Sequence, residues 1–158
     1  MTIPLWIGQK SELIIDSNLL VVVVIGRARG TLLGRKPVEG FHLSDFERLA
    51  EFTSLFKKVT TTPYILSEVN SLLNKTGYAR IECRAALASQ VELMDEYQNP
   101  SNTLTRDNSF EEFGLTDISI KYAATNDTLV LTDDEALLGL LTQAGIAAIR
   151  YKDIIDAE

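Results

Sequence analysis

The stretch Leu13-Ile14-Ile15-Asp16-Ser17-Asn18-Leu19-Leu20-Val21-Val22-Val23-Val24-Ile25 decides how this chain folds. Its first three residues are apolar and predict a short buried strand that ends at Asp16. The apolar run at residues 19–25 has two interpretations, because its valines favour a strand while a short apolar run also suits a buried helix. Local patterns therefore leave the structure of residues 19–25 open.

The rest of the chain alternates short apolar runs with amphipathic segments, which predicts an α/β fold with a parallel sheet. A capping box formed by Ser44 and Glu47 marks one helix start, Thr62 and Thr116 mark two others, and Gly145 marks a helix end. Further strands are predicted at 58–61, 128–132 and 146–149, and helices at 44–56, 62–77, 78–97, 116–124 and 134–143. A length of 158 residues without repeats or linkers suits one domain over residues 1–158.

Composition narrows the class of protein. Hydrophobic residues make up 46% and charged residues 23% of the chain, as in globular domains. The single cysteine, Cys83, cannot form an internal disulfide. No secretory signal is visible, and the most apolar run is too short to cross a bilayer, so we expect a cytoplasmic protein without a membrane partner. The net charge of −7 counts against a large basic surface for nucleic acid.

Four acidic residues are placed where a binding site would form. Asp16 and Asp134 follow predicted strands, and ligands of α/β sheets bind beyond the carboxyl ends of the strands. Asp117 lies in the first turn of a predicted helix, and Glu68 flanks the apolar stripe of another. Carboxylates gathered near buried surface repel one another, and a divalent cation removes that cost. An all-oxygen set of ligands favours Mg²⁺ or Mn²⁺.

Each acid also has an ordinary structural interpretation. Asp16 and Asp134 would cap the helices that follow them, and Asp117 would favour its own helix dipole. Asp117 is also spaced to form a helical ion pair with Lys121. Glu68 would lie at the rim of its apolar stripe. The coincidence of all four at these places favours the metal site.

Four segments, in this order, resemble the PIN-domain family. They are Ile14-Ile15-Asp16-Ser17-Asn18-Leu19-Leu20, Thr62-Pro63-Tyr64-Ile65-Leu66-Ser67-Glu68-Val69, Gly114-Leu115-Thr116-Asp117-Ile118-Ser119-Ile120, and Leu129-Val130-Leu131-Thr132-Asp133-Asp134-Glu135-Ala136-Leu137. The resemblance implies a three-layer α/β/α domain with a central parallel sheet in which residues 19–25 are helical. It also implies an endoribonuclease that uses Mg²⁺ or Mn²⁺ to hydrolyse RNA phosphodiester bonds.

For the site, the resemblance implies four catalytic, metal-binding acids and two supporting polar residues. The acids are Asp16, Glu68, Asp117 and Asp134, with Asp133 as the alternative to Asp134, and the supporting residues are Asn18 and Thr132. The long segment between the first two motifs and the acidity of the chain depart from the family pattern. Both departures bear on the substrate and the partner more than on the chemistry.

Basic residues near the first motif suggest an RNA contact. Arg27, Arg29, Arg35 and Lys36 would guide the RNA backbone toward the acids, or would form a solvated basic loop. Similarity to small PIN proteins implies a toxin with an antitoxin partner, and a homodimer. A non-catalytic RNA-binding or protein-interaction module of the same fold is the alternative.

Overall fold

A computed structural model describes residues 4–156 and shows an α/β fold around one parallel sheet. The strands are β1 (Glu12–Ile15), β2 (Lys58–Thr61), β3 (Met94–Glu96), β4 (Thr128–Thr132) and β5 (Ala147–Arg150). They lie in the order β3-β2-β1-β4-β5, and every neighbouring pair is parallel. The predicted parallel sheet is thus confirmed, with β1 at its centre.

Helices connect the strands and cover the sheet. They are α1 (Ser17–Ala28), α2 (Leu43–Thr53), α3 (Pro63–Leu73), α4 (Arg80–Val91), α5 (Ser101–Leu104), α6 (Phe110–Ala123), α7 (Glu135–Gln143) and α8 (Tyr151–Ile155). From β1 the chain builds outward to β2 and β3, and then returns to add β4 and β5 on the other side. Crossover connections between parallel strands are right-handed, so connections that lead toward β3 and connections that lead toward β5 lie on opposite faces of the sheet. This rule places α1 to α4 on one face and α6 and α7 on the other. The layers are therefore α/β/α, as predicted.

The ambiguous run at residues 19–25 is helical. All seven of its residues are buried within α1, which packs against α2, α3 and α4. A helix that is apolar on every side is stable when it is covered on every side. Tertiary burial thus outweighs the local strand preference of valine. The helical interpretation is confirmed, and the alternative of a strand is wrong.

Several local signals have the predicted effect. The Thr62 hydroxyl accepts a hydrogen bond from the Ile65 amide at 3.2 Å and caps α3. Gly145 follows α7 with a φ of +74°, and the Ile146 amide donates to the Leu141 carbonyl at 2.9 Å. This is a Schellman motif, and it ends α7 before β5.

The capping box predicted for α2 is wrong. The helix begins at Leu43, and the residue before it, His42, has an amide that donates to the Asp45 carboxylate at 2.7 Å. The Asp45 side chain is buried, and its carboxylate also accepts a hydrogen bond from the Tyr151 hydroxyl at 2.7 Å. Ser44 and Glu47 each lie two residues after the positions that cap the helix, which are His42 and Asp45, and the helix ends at residue 53 instead of residue 56.

Three further boundaries differ from expectation. The helix predicted at 78–97 is shorter, because Gly77 adopts a φ of +63° before it and residues 94–96 form β3 after it. Thr116 does not cap a helix. The helical chain begins at residue 110 and breaks at Gly114, where φ is +81° and ψ is −178°, so Thr116 falls in the first turn after the break. No helix within residues 4–156 combines the length and apolar character needed to cross a membrane.

Candidate metal centre

The candidate site lies at the carboxyl ends of β1 and β4, the two neighbouring strands from which the sheet extends in opposite directions. After β1 the chain enters α1 on one face, and after β4 it enters α7 on the other, so a crevice opens between these helices. Asp16 is the residue before α1, and Asp134 is the residue before α7. Both acids therefore lie at the carboxyl ends of adjacent strands.

Asp16 is held at the floor of this crevice. It is 7% exposed, and its carboxylate accepts hydrogen bonds from the Ser17 amide and the Thr132 hydroxyl, each at 2.7 Å. Burial raises the pKa of Asp16, these two hydrogen bonds oppose the rise, and the charges of Asp134 and Glu68 add to it. Thr132 also accepts the amide of Asp134 at 3.0 Å, so one hydroxyl fixes both strand ends.

Asp134 caps α7, as the structural interpretation predicted. Its carboxylate accepts the amides of Ala136 at 2.8 Å and Leu137 at 3.0 Å. Its charge also raises the pKa values of Asp16 and Asp117, so Asp134 both caps α7 and belongs to the acidic group. Asp133 is turned elsewhere, because its carboxylate accepts the Lys152 amide at 3.1 Å. Of the two aspartates, Asp134 is the one among the acids.

Asp117 carries the largest electrostatic cost. Its side chain is half-buried on α6, and burial, followed by the charges of Asp16, Asp134 and Glu68, raises its pKa to about 7. Within residues 4–156 its carboxylate forms no hydrogen bond and no ion pair. The predicted pair with Lys121 is wrong, because that lysine binds Asp107 at 2.8 Å.

Glu68 is exposed and joined to α6 through Thr116, whose hydroxyl donates to its carboxylate. The Ser119 hydroxyl donates to the Thr116 carbonyl at 2.6 Å, so in the 2.8 Å contact between Ser119 and Thr62 the Thr62 hydroxyl is the donor. This chain of hydroxyls fixes the start of α3 against α6. The role of Thr116 was missed, and its place beside Asp117 is the sequence signal that points to it.

The structure thus brings Asp16, Glu68, Asp117 and Asp134 into one electrostatic group. In the part of the chain from residue 4 to residue 156, however, no three histidine, cysteine, aspartate or glutamate side chains converge closely enough to hold a metal ion. Two of the four carboxylates already accept hydrogen bonds from the protein, Glu68 from the Thr116 hydroxyl and Asp134 from amides of its own helix. Asn18 is exposed in the first turn of α1.

The donors at this edge of the sheet fit a hard divalent cation. The group consists of carboxylates, with no thiol or imidazole among them. The buried hydroxyls of Ser17 and Thr61, at the ends of β1 and β2, lack a hydrogen-bond partner in the structure. Buried polar groups without partners are uncommon and indicate space for an ion or water.

The predicted basic residues lie away from the acids. Arg27 and Arg29 are at the end of α1 and bind residues of α4 at 3.1 Å and 2.5 Å. Along α1, Arg27 is about 16 Å from Asp16 at a rise of ~1.5 Å per residue. Arg35 and Lys36 are exposed and line a cleft beyond the same end of α1. An RNA-binding role for these four residues stays a prediction. If they bind RNA, they do so at the end of α1 and not at the acidic crevice.

No protein-family model matches this chain, and no curated protein is significantly similar to it. The resemblance to the PIN-domain family therefore stays a prediction from the four sequence segments. Chemically, the arrangement of the acids can attract a divalent cation and position a phosphate group beside it.

Proposed function

We propose that this chain is a Mg²⁺- or Mn²⁺-dependent endoribonuclease that resembles the PIN-domain family and hydrolyses RNA phosphodiester bonds. One observation supports the proposal most strongly. Carboxylates from four separate elements act on one another at the switch point of the sheet, and burial together with the charges of Asp16, Asp134 and Glu68 raises the pKa of Asp117 to about 7. A bound divalent cation would remove this repulsion and make the crevice attractive to a phosphodiester.

Within the proposal, Asp16 and Asp117 bind the metal, and Glu68 and Asp134 complete the set directly or through water. A divalent cation held by these residues would supply an activated water and charge stabilisation for the leaving 3′ oxygen, and hydrolysis of this kind would give products with a 5′ phosphate and a 3′ hydroxyl. Thr132 orients Asp16 as a supporting residue. Because each carboxylate oxygen of Asp16 accepts one hydrogen bond, each retains a lone pair for a metal.

Asp117 would respond to the metal by losing its proton. Because burial and the neighbouring carboxylates raise the pKa of Asp117 to about 7, this carboxyl group retains a proton to higher pH than an ordinary aspartate does when no metal is bound. Ligands must be deprotonated to bind a metal, so binding releases this proton. The half-exposed position of Asp117 lets the proton pass directly to solvent.

The proposed setting is a cytoplasmic toxin that an antitoxin protein restrains. The acids without a neutralising cation would accept a basic side chain of such a partner, in place of the metal. A homodimer belongs to the same proposal.

A non-catalytic RNA-binding or protein-interaction module is the second candidate. It is favoured by the absence, within residues 4–156, of three metal-ligating side chains at ligand distance. The two candidates differ in whether the acids are needed for chemistry, and this difference decides the experiment.

The test is cleavage of labelled RNA pools by purified protein, with Mn²⁺ or with EDTA. The wild type should cut RNA in Mn²⁺ and leave 5′ phosphates, whereas Asp16→Asn should be inactive and keep the fold, as circular dichroism would show. Asp156→Asn is the matched control, because Asp156 is exposed and remote in sequence from the four acids. An Asp16→Asn protein as active as the wild type would remove the acids from the mechanism. No cleavage of any pool, together with no Mn²⁺ binding, would favour the interaction module.

A further inference from the structure

A basic cleft of about 280 Å³ lies beyond the end of α1, away from the acidic crevice. Its lining includes Arg35, Lys36 and Lys75, together with Tyr78. Both α1 and α3 start at the carboxyl ends of their strands and run back across the sheet, so the segments after them meet at the opposite edge. The cleft is therefore a separate surface.

The three cations of this cleft, Arg35, Lys36 and Lys75, have no carboxylate partner among the described residues 4–156. Some other basic residues are held by carboxylates, as Lys121 is by Asp107 and Arg150 is by Glu135 and Asp153. The cleft differs in that three cations unpaired within the described part of the chain line one concave surface. Like charges held around one cleft repel one another and create a positive potential. On a chain with a net charge of −7, this local excess points to an anionic ligand.

Tyr78 adds an aromatic platform to the cleft. The side chain is 78% exposed, and the Arg29 guanidinium carbon lies 5.9 Å from the ring centroid. Arg29 is itself held by an ion pair with Glu82 at 2.5 Å. One face of the ring is thus supported by a fixed cation while most of the ring faces solvent. Exposed aromatic rings beside cations are the typical surface on which unpaired bases stack.

We infer that this cleft binds a strand of RNA, with phosphates on Arg35, Lys36 and Lys75 and a base stacked on Tyr78. The inference rests on the proposed function and supplies that function with a substrate-binding surface distant from the acids. The tyrosine platform favours RNA over an acidic peptide, because a peptide of carboxylates has no aromatic face to stack there. A strand that reaches both surfaces must span the length of α1, about 18 Å at ~1.5 Å per residue.

The first test measures binding of a labelled single-stranded RNA by fluorescence anisotropy in EDTA, over a range of salt concentrations. The triple variant Arg35→Ala/Lys36→Ala/Lys75→Ala should bind weakly, and its plot of log K against log salt should be less steep by about 2, since each phosphate contact on a single strand contributes ~0.7. An unchanged slope would overturn the inference. Because these side chains are exposed, the variant should fold, and its melting temperature checks this.

A matched control separates the cleft from overall charge. Lys57→Ala/Arg106→Ala/Lys152→Ala removes the same three positive charges from exposed cations outside the cleft. Its salt dependence should equal that of the wild type. Equal losses in the two triple variants would show that net charge alone governs binding, and this would contradict a site in the cleft.

Tyr78 is tested by two substitutions. Tyr78→Ala should weaken RNA binding by about five- to a hundredfold, the usual effect of losing one stacked base, while Tyr78→Phe should bind as the wild type does. Polyglutamate and free AMP are the comparison ligands. If polyglutamate bound the cleft and RNA did not, the ligand would be an acidic protein, and if AMP bound as tightly as the strand, it would be a free nucleotide; either result overturns the inference.

Failure of this inference is distinguishable from failure of the proposed function. Binding in EDTA requires no metal and no cleavage, so a loss confined to the cleft variants supports the surface even if the protein cuts no RNA. Conversely, Mn²⁺-dependent cleavage that the cleft variants leave undiminished, with unchanged RNA binding, would remove the cleft and leave the ribonuclease.

Discussion

Replacing Asp117 with asparagine should stabilise the metal-free protein at neutral and alkaline pH. Burial and three neighbouring carboxylates raise the pKa of Asp117 from 3.8 to about 7. Between these pH values the folded protein retains a proton that the unfolded chain has lost. The contribution of Asp117 to the free energy of unfolding is therefore full below pH 3.8 and is lost as the pH rises to about 7.

The size of the effect follows from the same values. A pKa raised from 3.8 to about 7 corresponds to about 4 kcal/mol, at ~1.36 kcal/mol per pKa unit. Asp117 is partly exposed, so solvent screening reduces this electrostatic free energy to about 1–2 kcal/mol. For a domain of this size, a gain of that order raises the melting temperature by roughly 2–8 °C.

The assay is thermal unfolding followed by circular dichroism in EDTA, at pH 4 and pH 8, for the wild type, Asp117→Asn and the control Asp156→Asn. Only Asp117→Asn should melt higher than the wild type, and only at pH 8. Added Mn²⁺ should then raise the melting temperature of the wild type more than that of the variant. A variant that melts at or below the wild-type temperature at pH 8 would refute the reasoning, as would an equal gain at both pH values.

Two further substitutions test the packing and the site. Gly26→Ala should lower the free energy of unfolding by about 1–3 kcal/mol, because an added Cβ would lie 2.5 Å from Cγ of Phe46 and force a shift between α1 and α2. Unfolding in urea measures this change, and an unchanged midpoint would show that the Phe46 side chain moves aside without a cost in stability. Thr132→Val should weaken Mn²⁺ binding about 10–100-fold through loss of the hydrogen bond that orients Asp16, whereas Thr132→Ser should keep it; equal affinity in the valine variant would remove Thr132 from the site.

The sequence predicts the fold where a local signal and tertiary burial agree. The strands β1, β2 and β4 and the ends of α7 lie close to their expected positions, because apolar runs and caps define them directly. The valine run needed more than local information, since its helical state depends on burial by the sheet and three helices. The edge strand β3 escaped detection because it is only three residues long, and the exposed Asp95 and Glu96 follow its one apolar residue, Met94, so no alternation of apolar side chains is visible.

The candidate site was predictable in position but not in detail. Acids that follow β1 and β4 had to meet at the switch point, whatever the exact packing. The choice of Asp134 over Asp133 depends on the start of α8, and the contact of Thr116 with Glu68 depends on the break at Gly114. Sequence patterns give neither, because both arise from the packing of elements distant in the chain.

Calorimetric titration of Mn²⁺ into the metal-free protein near pH 7, in buffers of different ionisation enthalpy, tests the central claim most directly. We expect binding with release of protons, the greater part of them from Asp117, because burial and neighbouring carboxylates raise its pKa to about 7. Binding should vanish in Asp16→Asn, and Asp117→Asn should release fewer protons than the wild type. Binding that persists unchanged in Asp16→Asn, or no binding to the folded wild type at millimolar Mn²⁺, would contradict the assignment of these acids as a metal site.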